Sequence, residues 1–280
     1  MTLAFNVFVV DPKPVPSAIP GFEDATWPPS TSTLISDDDG ALLVDCLITR
    51  QEGRDVAAWV KSLNHRPGYV YITHPHADHF LGLPEVLAAF PDARPVALAE
   101  SIPAMEEQVS PAYMQIWGGF FPDQLTDAPV VPAPLDGTTV PIGGSTATLI
   151  PVGTTDTVHS SVVHVPGLRL VVSGDVVYNQ THMWLMRSTP DSRAAWLRAL
   201  DEVATLDAEK LIAGHRHPAA VDDDARRQIA DSRRYLTDFE EALARSTSPA
   251  ELIDRMTAGY PDLANPYTLW VAAYDLLGTR

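Results

Sequence analysis

The stretch Thr73-His74-Pro75-His76-Ala77-Asp78-His79-Phe80 decides how this chain is read. Three histidines and an aspartate fall within six positions, directly after GYVYIT, a β-branched and aromatic run that reads as a short strand. Residues two apart at a strand end project to the same side, so His74 and His76 face one way. Asp78 and His79 follow where the chain turns toward DHFLGLPEVLAAF, a helical pattern. Imidazole nitrogen and carboxylate oxygen are the donors that zinc accepts, at about 2.0–2.2 Å. One histidine beside a strand is ordinarily a surface or core residue. Four ligand-type side chains in six positions predict a metal-binding segment able to serve two adjacent ions.

Outward from this segment, strand and helix patterns are interspersed. STLISDDDGALLVDCLIT reads as two strands joined by a DDDG turn. RDVAAWVKSLN has helical spacing and ARPVALAE is strand-like. Residues 101–124 combine helical stretches with Met, Tyr, Trp and Phe. This is the composition of an apolar lid, or of an amphipathic flank packed on the core. TTVPIGGSTATLIPV, SSVVHV and LRLVVSGD read as strands, and KLIAGH as a strand between the helical segments DSRAAWLRALDEVATL and DDDARRQIADSRRYLTDFEEALAR. In SPAELIDRMTAGYP, Ser248 is the expected N-cap, with Glu251 completing a capping box. The proline-rich residues 11–32 read as an irregular surface segment. The expectation is a mixed α/β fold of one domain over 1–280, with a helical C-terminal extension from about 222.

The 280 residues carry 36 acidic against 19 basic side chains, a formal net charge of −17, which argues against nucleic acid or an anionic membrane surface as partner. No apolar run approaches the roughly 18–20 residues of a membrane span. The N-terminal sequence MTLAFNVFVVDP has no signal-peptide pattern, so a cytoplasmic location is expected. The single cysteine, Cys46, lies in an apolar run and reads as a buried small hydrophobe.

The segment at 74–79 resembles the HxHxDH motif of the metallo-β-lactamase superfamily, and other stretches follow in the order that family expects. The resemblance spans roughly residues 33–217, and it is similar to a subgroup of metal-dependent hydrolases within that family. It implies an αββα sandwich with the metal site at one edge. Asp45 in LLVDC would buttress the metal loop through hydrogen bonds, Asp175 in VVSGD would bridge two metals, and His215 in LIAGH would be the last ligand of the second metal.

The pattern breaks at one place. Where the family places a histidine after glycine, Thr154 follows Gly153 in PVGTTDTVHSSVVHV. Three readings stand beside one another: His159 swings in as the replacement ligand, water fills the gap, or one metal is held by Asp78, His79, Asp175 and His215. His159 also reads as a surface loop residue. Tyr178 reads as a donor to a developing oxyanion or as a core tyrosine. His182 reads as a substrate contact or supporting group, or as a packing histidine beside Trp184.

The function expected is metal-dependent hydrolysis of a small, moderately hydrophobic ester, lactone, thioester or amide. One or two zinc ions, or other divalent metals, would lower the pKa of bound water from 15.7 toward roughly 7, with Asp78 or a metal-bound water handling the proton. The alternative is a non-hydrolytic member, a metal-binding protein or biosynthetic enzyme with an altered first metal site. Whether YPDLANPYTLWVAAYDLL packs on its own domain or on another subunit is left open.

Overall fold

A computed structural model of the chain describes residues 2–19 and 21–278. Its first half runs β1 (Ala4–Val9), β2 (Lys13–Pro14), β3 (Thr26–Trp27), β4 (Thr31–Ser36), β5 (Ala41–Val44), α1 (Arg50–Ser62), β6 (Tyr69–Tyr71), α2 (Leu83–Ala89), β7 (Arg94–Leu98), α3 (Ile102–Gln108), α4 (Pro111–Phe120) and β8 (Ala133–Leu135). The second half runs β9 (Thr139–Ile142), β10 (Ser145–Gly153), β11 (Ser160–Val165), β12 (Leu170–Asn179), α5 (Pro190–Ala204), β13 (Lys210–Arg216), α6 (Ala225–Ala244), α7 (Pro249–Gly259) and α8 (Pro266–Leu277).

Two sheets form, in the orders β1-β4-β5-β6-β7-β8 and β13-β12-β11-β10-β9. The DDDG hairpin pairs β4 antiparallel to β5, while β5 through β8 run parallel, as crossover helices require. Because side chains alternate along a strand, each sheet buries both faces. Leu42 and Val44 join Ile35, Tyr71 and Val96 against Val163, Val172 and Ile212 between the sheets. Leu43 points the other way and packs with Val56 and Val60 of α1 and Val86 of α2. On the far side of the second sheet, Val162, Val171 and Leu211 pack with Trp196 of α5 and Ile229, Leu236 and Phe239 of α6. Helices thus cover both outer faces, which is the αββα arrangement that the resemblance implied.

Two local readings change, at the proline-rich segment and at α7, and the last apolar run finds its place. The proline-rich segment is no surface coil: β2 and β3 pair, Val15, Ile19 and Trp27 are buried in the first core, and the Lys13 ammonium pairs with the Glu52 carboxylate of α1. Its few apolar residues decide its burial. (Pro20 lies outside the described residues.) The last apolar run forms α8, whose Tyr267, Leu269, Ala272 and Ala273 are buried on this same chain. At α7, Ser248 Oγ accepts from Glu251 N–H, but the Glu251 carboxylate takes the Thr247 N–H at 2.7 Å instead of closing back on Ser248.

The two sheets meet at one edge. There Ser161, at the start of β11, donates from its N–H and hydroxyl to the Thr73 carbonyl at 3.1 and 2.6 Å. This stitch fixes the histidine segment leaving β6 against the second sheet.

Candidate metal centre

Asp45 follows β5, the 74–79 segment follows β6, Asp175 lies in β12 and His215 in β13, so four strands deliver these groups to the shared edge. Two glycines permit the approach. Gly174 has φ +49, and a Cβ there would lie 2.5 Å from Thr73 Oγ1 and 3.1 Å from His74 Nδ1. A Cβ on Gly214 would lie 2.3 Å from Asp175 Oδ1 and 2.9 Å from His79 Cε1. The glycines of VVSGD and LIAGH are therefore part of the site, because no other residue leaves room for the side chains beside them.

The ligand-type atoms form two adjacent groups. In the first, one atom each from His74, His76, Asp156 and Asp175 lies within 4.8 Å of the others; in the second, the same holds for Asp78, His79 and His215. Asp175 stands between them. Its Oδ2 is 3.0 Å from His215 Nε2 and 3.8 Å from His74 Nε2, and its Oδ1 is 3.3 Å from His79 Nε2. Asp78 Oδ2 is 3.4 Å from His215 Nε2, and Asp156 Oδ2 is 2.7 Å from His76 Nδ1 and 3.8 Å from His74 Nε2.

The outer contacts settle which ring nitrogen faces inward. His79 Nδ1 donates to Asp45 Oδ2 at 2.9 Å, and His215 Nδ1 donates to the Pro29 carbonyl at 3.1 Å. Thr73 Oγ1 donates to Asp45 Oδ2 at 2.9 Å and so accepts from His74 Nδ1, also at 2.9 Å. With Nδ1 donating outward in each of these rings, Nε2 is the atom turned into the site, where it binds a cation once free of its proton. Trp27 Nε1 and Tyr178 OH donate to Asp78 Oδ2 at 3.0 Å and Asp175 Oδ2 at 2.9 Å.

Whether this set fits a metal is tested by what it leaves unsatisfied. Among the described residues, His74 Nε2, His79 Nε2, Asp156 Oδ2 and Asp175 Oδ1 are buried and have no hydrogen bond. No lysine or arginine among them pairs with Asp78, Asp156 or Asp175. Without a bound metal, only protons on the neighbouring imidazoles offset these buried carboxylates, and uncompensated buried anions are strongly disfavoured. A set of four imidazoles and three carboxylates aimed at common points fits divalent metal.

The electrostatics agree. Burial alone would depress every histidine here. It does so for His74, which is pulled down to about 4 with the help of the neighbouring His79. His215 is also opposed by burial, but the Asp175 and Asp78 carboxylates outweigh it and push it up to about 10. Against the same burial, Asp175, Asp45 and Asp78 hold His79 well above its ordinary value, and Asp156 raises His76. The carboxyls of Asp78 and Asp175 are held below the usual range: burial opposes ionisation, and the histidines overcome it.

Of the residues singled out from the sequence, His74, His76, Asp78, His79, Asp175 and His215 come together, with Asp45 directly behind them. Tyr178 reaches the site as a donor to Asp175. His159 does not come in. It sits at φ +58 with its side chain exposed, and its carbonyl is held by Ser101 Oγ at 2.9 Å. His182 is also elsewhere, buried with Nδ1 2.9 Å from Tyr235 OH of α6 and drawn down to about 4 by burial. The place expected for the missing imidazole is taken by Asp156, which sequence reasoning passed over. Its side chain is fully buried, and Thr155 Oγ1 donates to its Oδ1 at 2.7 Å.

A cavity of about 560 Å³ opens above both groups. His76, Asp78, Asp156, Asp175, Tyr178 and His215 lie at its floor. Its walls are Trp27, Trp184 and Met186 with Tyr113, Ile116, Trp117 and Phe120 of α4, while Met105 and Phe121 of the same segment pack in the core. Segment 101–124 is thus lid and flank at once. Among the described residues, no helix is long and apolar enough to cross a membrane.

Comparison with known proteins agrees with the geometry. A metallo-beta-lactamase from Pontibacter korlensis is 17% identical, covers 85% of this chain and 100% of its own, and superposes with a TM-score of 0.60. A metallo-beta-lactamase family protein from Thermus thermophilus is 17% identical, with 97% and 92% covered and a TM-score of 0.65. A beta-lactamase domain protein from Burkholderia ambifaria is also 17% identical, with 97% and 86% covered and a TM-score of 0.65. At this identity the likeness speaks for the fold. No functionally curated protein matches the sequence. The sequence profile of the metallo-beta-lactamase superfamily matches residues 25–215, more than half of the 280, and the chain therefore belongs to that superfamily.

Proposed function

We propose that this chain is a metal-dependent hydrolase acting on a carbonyl centre (ester, lactone, thioester or amide) in a small, moderately hydrophobic molecule. The observation that carries this reading is the pair of ligand groups sharing Asp175 on the floor of an aromatic-walled cavity. His74, His76 and Asp156 would hold one divalent ion, and Asp78, His79 and His215 the other, with Asp175 between. Zinc suits the paired imidazoles that each group supplies. Such ions, when bound, supply a Lewis acid for the carbonyl oxygen and an activated water.

The chain's own groups do the rest. Asp45 and the Pro29 carbonyl hold the outer ring protons and so keep the imidazoles oriented. Tyr178 fixes the Asp175 carboxylate, and Trp27 fixes Asp78. Asp78 is kept ionised at the cavity floor, where its carboxylate can accept a hydrogen bond from an attacking water and orient it. The volume is in the range of small-molecule pockets, roughly 300–1,000 Å³. Its aromatic wall excludes water and favours an apolar substrate body.

The test combines elemental analysis with a panel of aryl esters, thioesters, lactones and β-lactams, with and without chelator. Turnover that chelator abolishes and added metal restores is the expected result. Stoichiometric metal with no turnover across the panel would favour the second reading, a non-hydrolytic member, to which the replacement of an imidazole by Asp156 gives some support.

A further inference from the structure

The Asp156 carboxylate is fully buried, yet its Oδ2 has no hydrogen bond among the described residues. It lies 2.7 Å from His76 Nδ1 and 3.8 Å from His74 Nε2, so the atom points at the spot that those two ring nitrogens and Asp175 also face. Its other oxygen is anchored by Thr155 Oγ1, which in turn contacts Ser160 Oγ at 2.7 Å. The first ligand group is therefore two imidazoles and two carboxylates. A third imidazole there would be neutral and of intermediate softness. A carboxylate is anionic and hard, the donor type that suits manganese and magnesium.

We propose that Asp156 is a metal ligand, and that it makes the first half-site hard enough to retain manganese(II) as well as zinc. The two half-sites then become near equals in donor set, each with two imidazoles, one carboxylate of its own and a share of Asp175. The inference rests on the metal-holding part of the proposed function and is independent of whether the chain hydrolyses anything. A set with a third imidazole binds Mn²⁺ weakly because Mn²⁺ stands at the bottom of the affinity order for nitrogen-rich sites. The added negative charge compensates by direct attraction in a water-poor setting.

The experiment uses metal-free full-length protein and two substitutions. Asp156→Asn keeps the shape and removes the charge. Asp156→Cys keeps a negative charge once a cation binds, because a coordinating thiol loses its proton, but replaces a hard donor with a soft one. Binding of Mn²⁺ is followed by the loss of the free-ion paramagnetic resonance signal, and binding of Zn²⁺ by competition with a chromophoric chelator. Wild type is expected to take up two equivalents of either ion. Asp156→Asn should bind one equivalent of Mn²⁺ at least tenfold more weakly. Asp156→Cys should lose Mn²⁺ similarly while its zinc affinity is unchanged or higher.

Cobalt(II) supplies a direct readout of the bond. Asp156→Cys should show thiolate-to-cobalt charge-transfer absorption. Wild type should show none, because its single thiol, Cys46, is buried and outside both groups. Circular dichroism confirms that the variants are folded. Absence of the cobalt–thiolate band in folded Asp156→Cys overturns the assignment of Asp156 as a ligand. Mn²⁺ and Zn²⁺ affinities that change equally in Asp156→Cys, or not at all in either variant, overturn the claim about hardness. A protein that passes these tests and still turns over no substrate would sink the proposed hydrolysis and leave this inference standing.

Discussion

The two halves of the metal centre are built differently. In the second, every ligand is braced by a distant part of the chain: Asp78 by Trp27, His79 by Asp45, and His215 by Pro29 and Ser30. Their side chains are 5%, 1% and 3% exposed. In the first, His74 is braced through Thr73 to Asp45 and Asp156 by its neighbour Thr155, while His76 is 19% exposed and faces the cavity. A fully braced ligand set is preorganised and loses little freedom on binding. The second half-site is accordingly expected to be the tighter of the two, and the first the one open to exchange and to substrate.

That contrast can be broken most severely at the shared residue. Asp175→Ala removes a donor from both halves and leaves three inward nitrogens without their common carboxylate. Loss of both ions by elemental analysis is expected, with any hydrolysis falling on the order of 1000-fold, about 4 kcal/mol of barrier. Retention of two equivalents would show that Asp175 does not join the halves.

Acidity separates the halves next. Both imidazoles of the second half, His79 and His215, lie above the ordinary 6.5, His215 at about 10, whereas the first half is split, with His76 raised and His74 at about 4. The raised pair adds stability to the metal-free fold that is complete below about pH 6.5. This stability is lost as pH rises, in the case of His215 through about 10. Metal must displace those protons, so affinity at the second half-site should fall about 100-fold for each unit of pH below neutrality, two protons being released. Titration calorimetry in buffers of different ionisation enthalpy counts them. Release of none would remove the electrostatic account of that half.

Asp45 reaches both halves, holding His79 directly and His74 through Thr73. Asp45→Asn keeps the shape but offers at most one acceptor where the carboxylate serves several donors. A drop of about 10–100-fold in metal affinity is expected, at both equivalents. A loss confined to one equivalent would mean that the Thr73 relay carries nothing.

Much of this was open to view in the sequence, and the exceptions have physical causes. Most strands were legible because short β-branched runs bounded by turn residues such as Asp37–Gly40 act locally, although β1 was not among them. The 74–79, 175 and 215 ligands were legible because their residue types are uncommon in such company. Asp156 was not, since a lone aspartate in a loop looks like any solvated one. The usable signal was its place in the very loop that lacks the expected imidazole. His159 drew attention by residue type, but a left-handed backbone at φ +58 turns it outward. His182 follows Asp175 closely in sequence, yet β12 runs on to Asn179 and carries the chain past the edge to α6. The burial of residues 11–32 depends on Glu52 and α8, which local pattern does not contain.

Trp27 offers the finest test, because it belongs to both the cavity wall and the second half-site. Its ring packs against Trp117, Phe120, Phe121 and Trp184 with centroids 5.4–5.8 Å away, while its Nε1 reaches Asp78 at 3.0 Å. Trp27→Phe keeps an aromatic ring in that cluster and removes the donor. A hydrogen bond to a carboxylate is worth about 1.5–3 kcal/mol, and part of it is recovered once a cation neutralises the group. The expected result is therefore a modest weakening, roughly 5–20-fold, in the affinity of the second equivalent, with the first unchanged. Equal weakening of both equivalents would show that Trp27 acts through the wall it shares with α4. A change in neither would mean that Asp78 is held by its histidine neighbours alone.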